Sequence, residues 1–160
     1  MALEFHVTVT GTKQGKFKGE SPKDKHKEKF TGLGFEYSVA SPRDLASGQA
    51  SGKRQHTPIK VVKEWGASSP QFFQACTTNE VLPEVNFEFS KTDANGEETV
   101  FYTIKLTNAS VSKITQFTSH PEAHQDPMPT RYLESLEFTF QKIEIDSKTG
   151  KTAAVDDWHK

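Results

Sequence analysis

The sequence contains a single cysteine, Cys76, among its 160 residues, so it cannot form a disulfide bond within one chain. It also lacks any stretch that approaches the roughly 20 consecutive apolar residues of a membrane-spanning helix. Its first residues alternate between polar and apolar side chains, whereas a signal peptide has a continuous apolar segment. These absences argue against a disulfide-stabilised secreted module. We therefore expect synthesis in the cytoplasm, no cleaved signal peptide and no membrane insertion.

An excess of charge of either sign is missing as well. The chain has 20 Lys and Arg residues against 21 Asp and Glu residues, which gives a formal net charge of −1. Binding to a nucleic acid backbone depends on a basic excess, so we expect no nucleic acid partner. Hydrophobic residues make up only 33% of the chain, but 12 phenylalanines supply large apolar side chains that disordered chains lack. We expect a single folded domain over residues 1–160 with a polar surface.

Alternation with a period of two is the dominant pattern of the apolar residues, and it indicates β-strands with one buried face. It is present at residues 3–9, 33–39, 85–89, 100–106 and 136–140. Between the third and fourth of these segments, Asn95 and Gly96 favour a tight turn because both residue types tolerate positive φ. The sequence therefore predicts an antiparallel hairpin there. At residue 143 the apolar parity changes, which indicates either a bulge near Gln141 and Lys142 or burial of both strand faces.

One segment has helical character. The sequence Ser-Ser-Pro at residues 68–70 is typical of a helix N-terminus, and Phe72 and Phe73 follow in positions that suit a helix. We predict a helix from Ser69 to about Asn79, with at least one of the two phenylalanines packed against the strands. The predicted fold class is therefore mainly β: a β-barrel or sandwich of short antiparallel strands with one α-helix packed on it.

Three segments have the composition of loops. Residues 13–29 are rich in lysine and form either a charged edge hairpin or a solvated loop. Residues 120–129 contain three prolines, so we expect a surface excursion there. Residues 41–58 form a longer connection that includes Gly48 and Gly52. A connection of that length without its own secondary structure is usually functional or interfacial.

Metal and thiol chemistry have weak support in the sequence. His120 and His124 are four residues apart, a spacing that places two metal ligands on one helix face. The prolines around them disfavour a helix and no motif sets a third ligand, so a solvated loop is the better interpretation. Cys76 has no basic neighbour that would activate a thiolate, and we interpret it as a small apolar residue of the helix. We expect no metal site.

Two further clusters are candidates for chemistry. Lys53, Arg54 and His56 suggest a phosphate site, but the glycines near them lack the spacing of a P-loop or a dinucleotide-binding motif. Asp156 and Asp157 suggest an acid–base pair, but adjacent residues of a strand point to opposite faces. The sequence therefore predicts no catalytic residue and no cofactor, and we expect that the protein is not an enzyme.

A set of short segments carries a further signal through its order and spacing. The segments read Ser-Pro-Arg-Asp with Ala-Ser-Gly at 41–48, Gly-Lys-Arg-Gln-His at 52–56, Lys-Glu at 63–64, Ser-Ser-Pro at 68–70, Asn-Glu-Val-Leu at 79–82, Tyr-Thr-Ile-Lys-Leu-Thr-Asn-Ala at 102–109, Phe-Thr-Phe-Gln-Lys-Ile-Glu at 138–144 and Asp-Asp-Trp at 156–158. They span nearly the whole chain. In this order they resemble the Hcp family, the tube proteins of type VI secretion systems.

The resemblance implies a fold similar to that of phage tail-tube proteins, a β-barrel with one helix, and a structural role. It implies six-membered rings of identical subunits that stack into a hollow tube. Such a tube is assembled in the cytoplasm inside a contractile sheath and carries a spike protein at its tip. It is then propelled out of the cell, in some cases with small effectors in its lumen.

A ring needs a contact between subunits, and the loop at residues 41–58 is the candidate for it. The loop carries charge but has no apolar core to hold it in a monomer. The residues that we assign to the contact are Ser41, Pro42, Arg43, Asp44, Lys53, Arg54 and His56. One alternative is a monomeric β-sandwich module that binds a peptide or a glycan. A small hydrolytic enzyme is another, but the sequence lacks its nucleophile, base and oxyanion signals.

Overall fold

The computed structural model describes residues 5–19, 28–119 and 131–157. The predictions for Leu3, for the lysine-rich residues 20–27 and for residues 120–129 with their two histidines lie outside the described residues. The elements in chain order are β1 (Phe5–Gly11), β2 (Gly15–Lys16), β3 (Phe30–Gly32), β4 (Gly34–Glu36), β5 (Val39–Ala40), β6 (Gln55–His56), β7 (Ile59–Glu64), α1 (Ser69–Thr78), β8 (Leu82–Thr92), β9 (Glu98–Ser119), β10 (Arg131–Thr139), β11 (Lys142–Ser147) and β12 (Thr152–Asp157).

The main sheet is antiparallel and has the strand order β2-β1-β8-β9-β10-β7-β4. Strand β3 pairs with β1, while β11 pairs with β9 and is followed outward by β12. The sheet folds over on itself, so that Phe87 of β8 and Phe138 of β10 lie 6.2 Å apart between ring centroids. Pairing among the described strands does not close the sheet into a barrel. The sandwich of the two predicted architectures is therefore the one observed.

The predicted hairpin is confirmed, but its strands are longer than expected. Strands β8 and β9 have 11 and 22 residues, and Phe87 pairs with Ile104 in their register. Strand β9 is long because it pairs with strands of both halves of the sandwich. Its first part lies between β8 and β11, and its second part pairs with β10. The expectation of short strands is wrong for these two.

The change of apolar parity near residue 141 is a passage between the two halves of the sandwich. Strand β10 ends at Thr139 and β11 begins at Lys142, and both pair with β9 in one continuous register. The neighbour on their other side changes from β7 to β12 at this point. The register irregularity of β10 lies earlier, between Glu137 and Phe138. Strand β9 makes its own passage at Asn108, which has a φ of 51°. The Asn108 side chain donates a hydrogen bond to Gln141 Oε1 at 3.1 Å, which ties the two passages together.

Strand β1 is buried more completely than its alternation predicts. Phe5, Val7 and Val9 face the core as expected, but His6 on the opposite face is only 2% exposed. Its ring lies 3.5 Å from the Thr31 hydroxyl through Nδ1 and 3.6 Å from Glu98 through Nε2. The polar face of this strand is therefore covered by β3 and the β8–β9 hairpin end.

Helix α1 occupies the predicted position and seals one side of the core. Its last residue is Thr78, and the C-cap Asn79 is in the left-handed conformation with a φ of 54°. Phe72 is fully buried and its ring contacts Phe17, Phe30 and Phe138. Within the described residues, no helix has the length and apolar character that crossing a membrane requires.

A charged pair lies buried near the start of this helix. Lys63 Nζ is 2.6 Å from Glu134 Oε1, and neither side chain is exposed to solvent. Ser69 donates a hydrogen bond from its hydroxyl to the same carboxylate at 2.5 Å, and Gln116 donates another at 3.3 Å. A buried charge is tolerated only when it is paired and hydrogen-bonded, and this network meets that condition.

Candidate functional site

Residues 39–56 form an arm that projects from the sandwich. Its two short strands, β5 and β6, pair only with each other, through Val39 with His56 and Ala40 with Gln55. Further along the arm, Arg43 and Ala50 form an isolated antiparallel bridge. Most of its side chains are exposed. The predicted loop is therefore an ordered hairpin, although it has no core of its own.

The tip of the arm is held by a turn around Asp44. The Asp44 carboxylate accepts hydrogen bonds from the Ala46 backbone N–H at 3.0 Å and from the Ser47 hydroxyl at 3.1 Å. These two bonds lower the pKa of Asp44 from its ordinary value. Gly48 closes the turn with a φ of 73°. Between them Leu45 is fully exposed, so a large apolar side chain is displayed at the end of the arm.

The root of the arm is fastened to the last strand through one carboxylate. Asp156 Oδ2 accepts a hydrogen bond from Arg54 Nε at 2.6 Å and another from His56 Nε2 at 2.6 Å. The other ring nitrogen of His56 lies 2.5 Å from the Tyr37 hydroxyl. When Nε2 donates its N–H to the carboxylate and the ring carries one proton, Nδ1 accepts the hydrogen bond of the Tyr37 hydroxyl.

The cluster at the root shifts the pKa values of Asp156, Tyr37 and Arg54, the last of which is raised by its hydrogen bond with Asp156. The hydrogen bond from Arg54 and the further contact with His56 lower the pKa of Asp156, and they outweigh the opposing effect of burial. Burial and the nearby Asp156 charge raise the pKa of the Tyr37 phenol. At neutral pH, Asp156 is therefore charged and Tyr37 keeps its proton. Together with Arg54 and His56 they form a polar latch that holds the arm to β12.

An apolar groove of about 420 Å³ lies beside this latch. The arm root contributes Val39 and Ser41 to one wall, and the inner side of the β11–β12 edge contributes the other. Its apolar lining on those two strands consists of Ile143, Ile145, Ala154 and Val155. A second hollow, lined mainly by polar residues of the outer face of the sheet, shares Ile145, Ala154 and Val155 with the groove.

The structure separates the residues assigned to the subunit contact into two groups. Arg54 and His56 turn inward and bind Asp156, so they fasten the arm instead of projecting from it. Ser41 lines the groove. The other residues lie on the outer part of the arm, where Arg43, Asp44 and Lys53 are exposed. Pro42 is half-buried, and its backbone carbonyl accepts a hydrogen bond from the Ser51 N–H.

Sequence reasoning missed three residues of this region. Leu45 is the one large apolar side chain within residues 41–58. A single large apolar residue in a polar loop indicates an exposed apolar contact, so the sequence did contain a signal for it. Tyr37 was interpreted only as part of a strand, and Asp156 only as half of an adjacent acidic pair. Nothing local marks these two residues as partners of His56, because their contact joins distant parts of the chain.

The contacts at the arm root divide the two clusters that suggested chemistry among structural partners. Arg54 and His56 are both engaged by Asp156, which removes them as a phosphate site. The side chains of Asp156 and Asp157 contact different partners, since Asp157 Oδ2 accepts a hydrogen bond from Gln141 at 3.5 Å. In the described ranges, no group of three or more His, Cys, Asp or Glu residues could hold a metal ion.

Comparison with known protein families identifies the family of this chain. The family described as "Type VI secretion system effector, Hcp" matches residues 7–146. The chain belongs to the Hcp family. This membership confirms the resemblance seen in the short motifs, and it makes the chain one of the type VI secretion tube proteins.

Individual members of the Hcp family are similar to the chain over almost its full length. The "Major exported protein" of Pseudomonas aeruginosa strain PAO1 is 31% identical over 99% of this chain and 96% of its own length. A crystal structure of an Hcp protein superposes with a TM-score of 0.87 at 24% identity, covering 97% of this chain and 99% of that one. The secreted protein Hcp3 of Pseudomonas aeruginosa superposes with a TM-score of 0.80 at 24% identity, covering 99% and 100%. These similarities confirm the predicted fold class.

Proposed function

We propose that this Hcp-family chain assembles into six-membered rings that stack into a hollow tube. The observation that carries the proposal is the arm. It is ordered, it is fastened at its root by Asp156, and it displays the fully exposed Leu45. A monomer gains nothing from holding an apolar side chain in water, whereas a neighbouring subunit gains apolar contact area.

The arm favours a ring over a two-fold dimer. An arm that reaches from one side of a subunit to a different surface of its neighbour makes a head-to-tail contact, and such contacts generate closed rings or open filaments. The near-zero net charge is compatible with stacking, because rings of strongly charged subunits would repel one another. The partners follow from the proposal: further copies of the chain, a sheath, a spike protein and small effectors in the lumen.

Export is part of the same proposal. We expect the chain to leave the cell through the contractile machine, in keeping with the relative that is named an exported protein. The chain that reaches the medium should keep strand β1, since Phe5, Val7 and Val9 are buried in the core and their removal would open it. Mass spectrometry of the protein in culture medium, with the sheath intact or disabled, checks both expectations.

The ring is tested by native mass spectrometry and electron microscopy of the purified chain at micromolar concentration. The expected result is a closed six-membered species. In a second variant, residues 41–53 are replaced by a short Gly-Ser turn, which retains the β5–β6 pairs and the Arg54–Asp156 contact. This variant should keep the circular dichroism and melting temperature of the monomer but lose the ring. A wild-type chain that stays monomeric at every concentration and ionic strength favours the binding module instead.

A further inference from the structure

Strand β12 forms an open edge of the described sheet. Its six residues, Thr152–Asp157, pair with β11 alone, whereas β2 and β4 at two other ends of the sheet have two and three residues. Residues 152–155 are exposed and include neither lysine nor proline, and their pairing with β11 has no bulge. Soluble proteins commonly protect a sheet edge with these devices or with a very short strand. The edge of β12 is therefore suited to pairing with a further strand.

The backbone groups of two residues point outward along this edge. The Lys148 N–H donates a hydrogen bond to the Phe101 carbonyl at 3.0 Å, which continues the register of the β9–β11 ladder. Bonded pairs alternate with unbonded pairs in an antiparallel ladder, so the even-numbered residues of β11 bond to β9 and its odd-numbered residues bond to β12. Because the odd-numbered residues of β11 pair with even-numbered residues of β12, the N–H and C=O groups of Ala153 and Val155 face away from β11.

The next residue in this series supports the assignment. The Asp157 carbonyl accepts a hydrogen bond from Arg54 Nη2 at 3.2 Å, so it also points away from β11. The arm root thus lies against the end of the edge at Asp157. Val155 is 61% exposed and Ala153 is exposed as well, so two sets of backbone donors and acceptors are accessible to an added strand.

The two faces of the sheet beside this edge differ in character, and the inner face is apolar. There Ala154 borders the apolar groove together with Ile143 and Ile145 of β11. The groove has a volume of about 420 Å³, which is room for the apolar side chains of a strand that lies next to β12.

The outer face beside the edge is polar and acidic. Ala153 and Val155 border a hollow of about 510 Å³ there, and they pair with Asp146 and Glu144 of β11. Glu144 also lies 3.6 Å from Lys142, but both side chains are partly exposed, so this attraction is weak. The other charged residues that line the hollow lie farther from the edge or past the end of β11: Glu88, Lys105 and Lys148. The charge nearest to the edge on this face is therefore negative.

We propose that the β12 edge binds an extended peptide segment of a partner protein in which apolar and basic side chains alternate. The segment pairs antiparallel with β12, so that its basic residues oppose Ala153 and Val155 and its apolar residues oppose Ala154. Neighbouring side chains of a strand point to opposite faces, which places the apolar ones over the groove and the basic ones over the hollow. Strands lie about 4.8 Å apart, so a lysine side chain of the added strand reaches the carboxylates of β11 across β12. The site does not depend on the proposed ring.

A fluorescently labelled peptide of the sequence Lys-Val-Lys-Val-Lys-Val-Lys tests the site by anisotropy titration against the full-length chain. Two further versions carry N-methyl groups, either on the lysine amides or on the valine amides. In the proposed pairing the lysine N–H groups bond to Ala153 and Val155, while the valine N–H groups point away. Methylation of the lysine amides should therefore weaken binding by about ten-fold or more, and methylation of the valine amides by much less. A blocked peptide with three valines followed by four lysines controls for charge attraction.

Variants of the chain test the same contacts from the other side. Val155→Pro removes one outward N–H without removing a bond to β11, so its melting temperature should stay close to that of wild type. It should bind the alternating peptide about five-fold or more weakly than Val155→Thr, which keeps the N–H. The double variant Glu144→Gln with Asp146→Asn should also weaken binding, and the difference from wild type should shrink at high salt.

The outcomes distinguish this site from the ring. Equal affinities for the two methylated peptides, or for the alternating and the blocked peptide, overturn strand pairing at the edge, as does the absence of binding at millimolar peptide. Native mass spectrometry follows assembly in the same samples. Binding that is present in the dilute monomer but lost when rings form assigns the edge to a second copy of the chain and overturns the proposal. A chain that binds the alternating peptide but forms no rings overturns the proposed function and supports the peptide site.

Discussion

Lys63 Nζ lies 2.6 Å from Glu134 Oε1, and both side chains are completely buried beneath the start of helix α1. The pair connects β7 to β10, and Ser69 of the helix shares the carboxylate at 2.5 Å. Three elements therefore depend on one buried charge.

Removing one partner of this pair should be far more costly than removing both. Glu134→Leu leaves the Lys63 ammonium buried without its counter-charge, so we expect a loss of about 3–5 kcal/mol in the free energy of unfolding. The double variant Lys63→Met with Glu134→Leu replaces the pair by apolar side chains and should recover most of that loss. Urea unfolding of the wild type, Lys63→Met, Glu134→Leu and the double variant gives the coupling energy. Additive losses would mean that the two charges do not stabilise each other.

The two neighbouring phenylalanines of α1 provide a matched comparison. Phe72 has no exposure and contacts three other rings, whereas Phe73 is 59% exposed. Phe72→Ala should therefore cost roughly 3–5 kcal/mol in unfolding free energy, and Phe73→Ala should stay within about 0.5 kcal/mol of wild type. The measurement is thermal or urea unfolding of the monomer. Equal losses for both variants would contradict the observed orientation of the helix.

Gly11 and Glu80 should show non-additive effects. The buried Glu80 carboxylate accepts backbone hydrogen bonds from Lys13 at 3.1 Å and Gln14 at 3.0 Å, and a Cβ at residue 11 would overlap its Oε2. We expect Gly11→Ala and Glu80→Ala each to cost about 1–3 kcal/mol. Because Glu80→Ala removes the atom that the new Cβ would meet, the double variant should cost less than the sum. A strictly additive double variant would mean that residue 11 and Glu80 do not meet.

The latch at the arm root should give a defined dependence on pH. The pKa of Asp156 is lowered in the folded chain by Arg54 and His56, so its contribution to stability is present above the unfolded value of about 3.9. It is lost as the pH falls through the lower folded pKa. The wild type should therefore unfold at a higher temperature than Asp156→Asn at neutral pH, and the difference should disappear in acid.

The control for this measurement is Asp146→Asn on β11, which removes one charge away from the latch. Asp146 lies on the strand face opposite Ile145, so its substitution should leave the pH dependence of stability close to that of wild type. If both variants show the same pH profile, the effect reflects net charge and the latch does not contribute.

The elements that the sequence predicted correctly depend on local physical chemistry. The β8–β9 hairpin follows from alternating apolar residues on both sides of a turn at residues 93–96. In the structure the Gly96 N–H donates a hydrogen bond to the Asp93 carbonyl, as a turn requires. Helix α1 follows from a serine, a proline and the spacing of Phe72. Both signals lie within about a dozen residues, so no distant part of the chain was needed to read them.

The arm was also predicted as a surface feature, but its internal roles were not. Arg43, Asp44, Arg54 and His56 look alike in sequence as charged or polar loop residues. The structure turns Arg54 and His56 toward Asp156, which is 100 or more residues away in the chain, and leaves the others outside. Such a distinction depends on which strand passes the arm root, and no local pattern contains that information.

The sequence by itself determined the family of the protein, its mainly β class, its helix and the segment that forms the arm. It did so because period-two apolar residues, turn residues and the order of short motifs are properties of neighbouring positions. Only the tertiary structure decided which charges are buried and which surfaces stay open. Lys63 meets Glu134 across 71 positions, and the groove beside β12 exists because residues 37–56 lie against strands β11 and β12, about 100 positions further along the chain. These features arise from long-range closure of the sandwich, whose outcome depends on the packing of all its strands together.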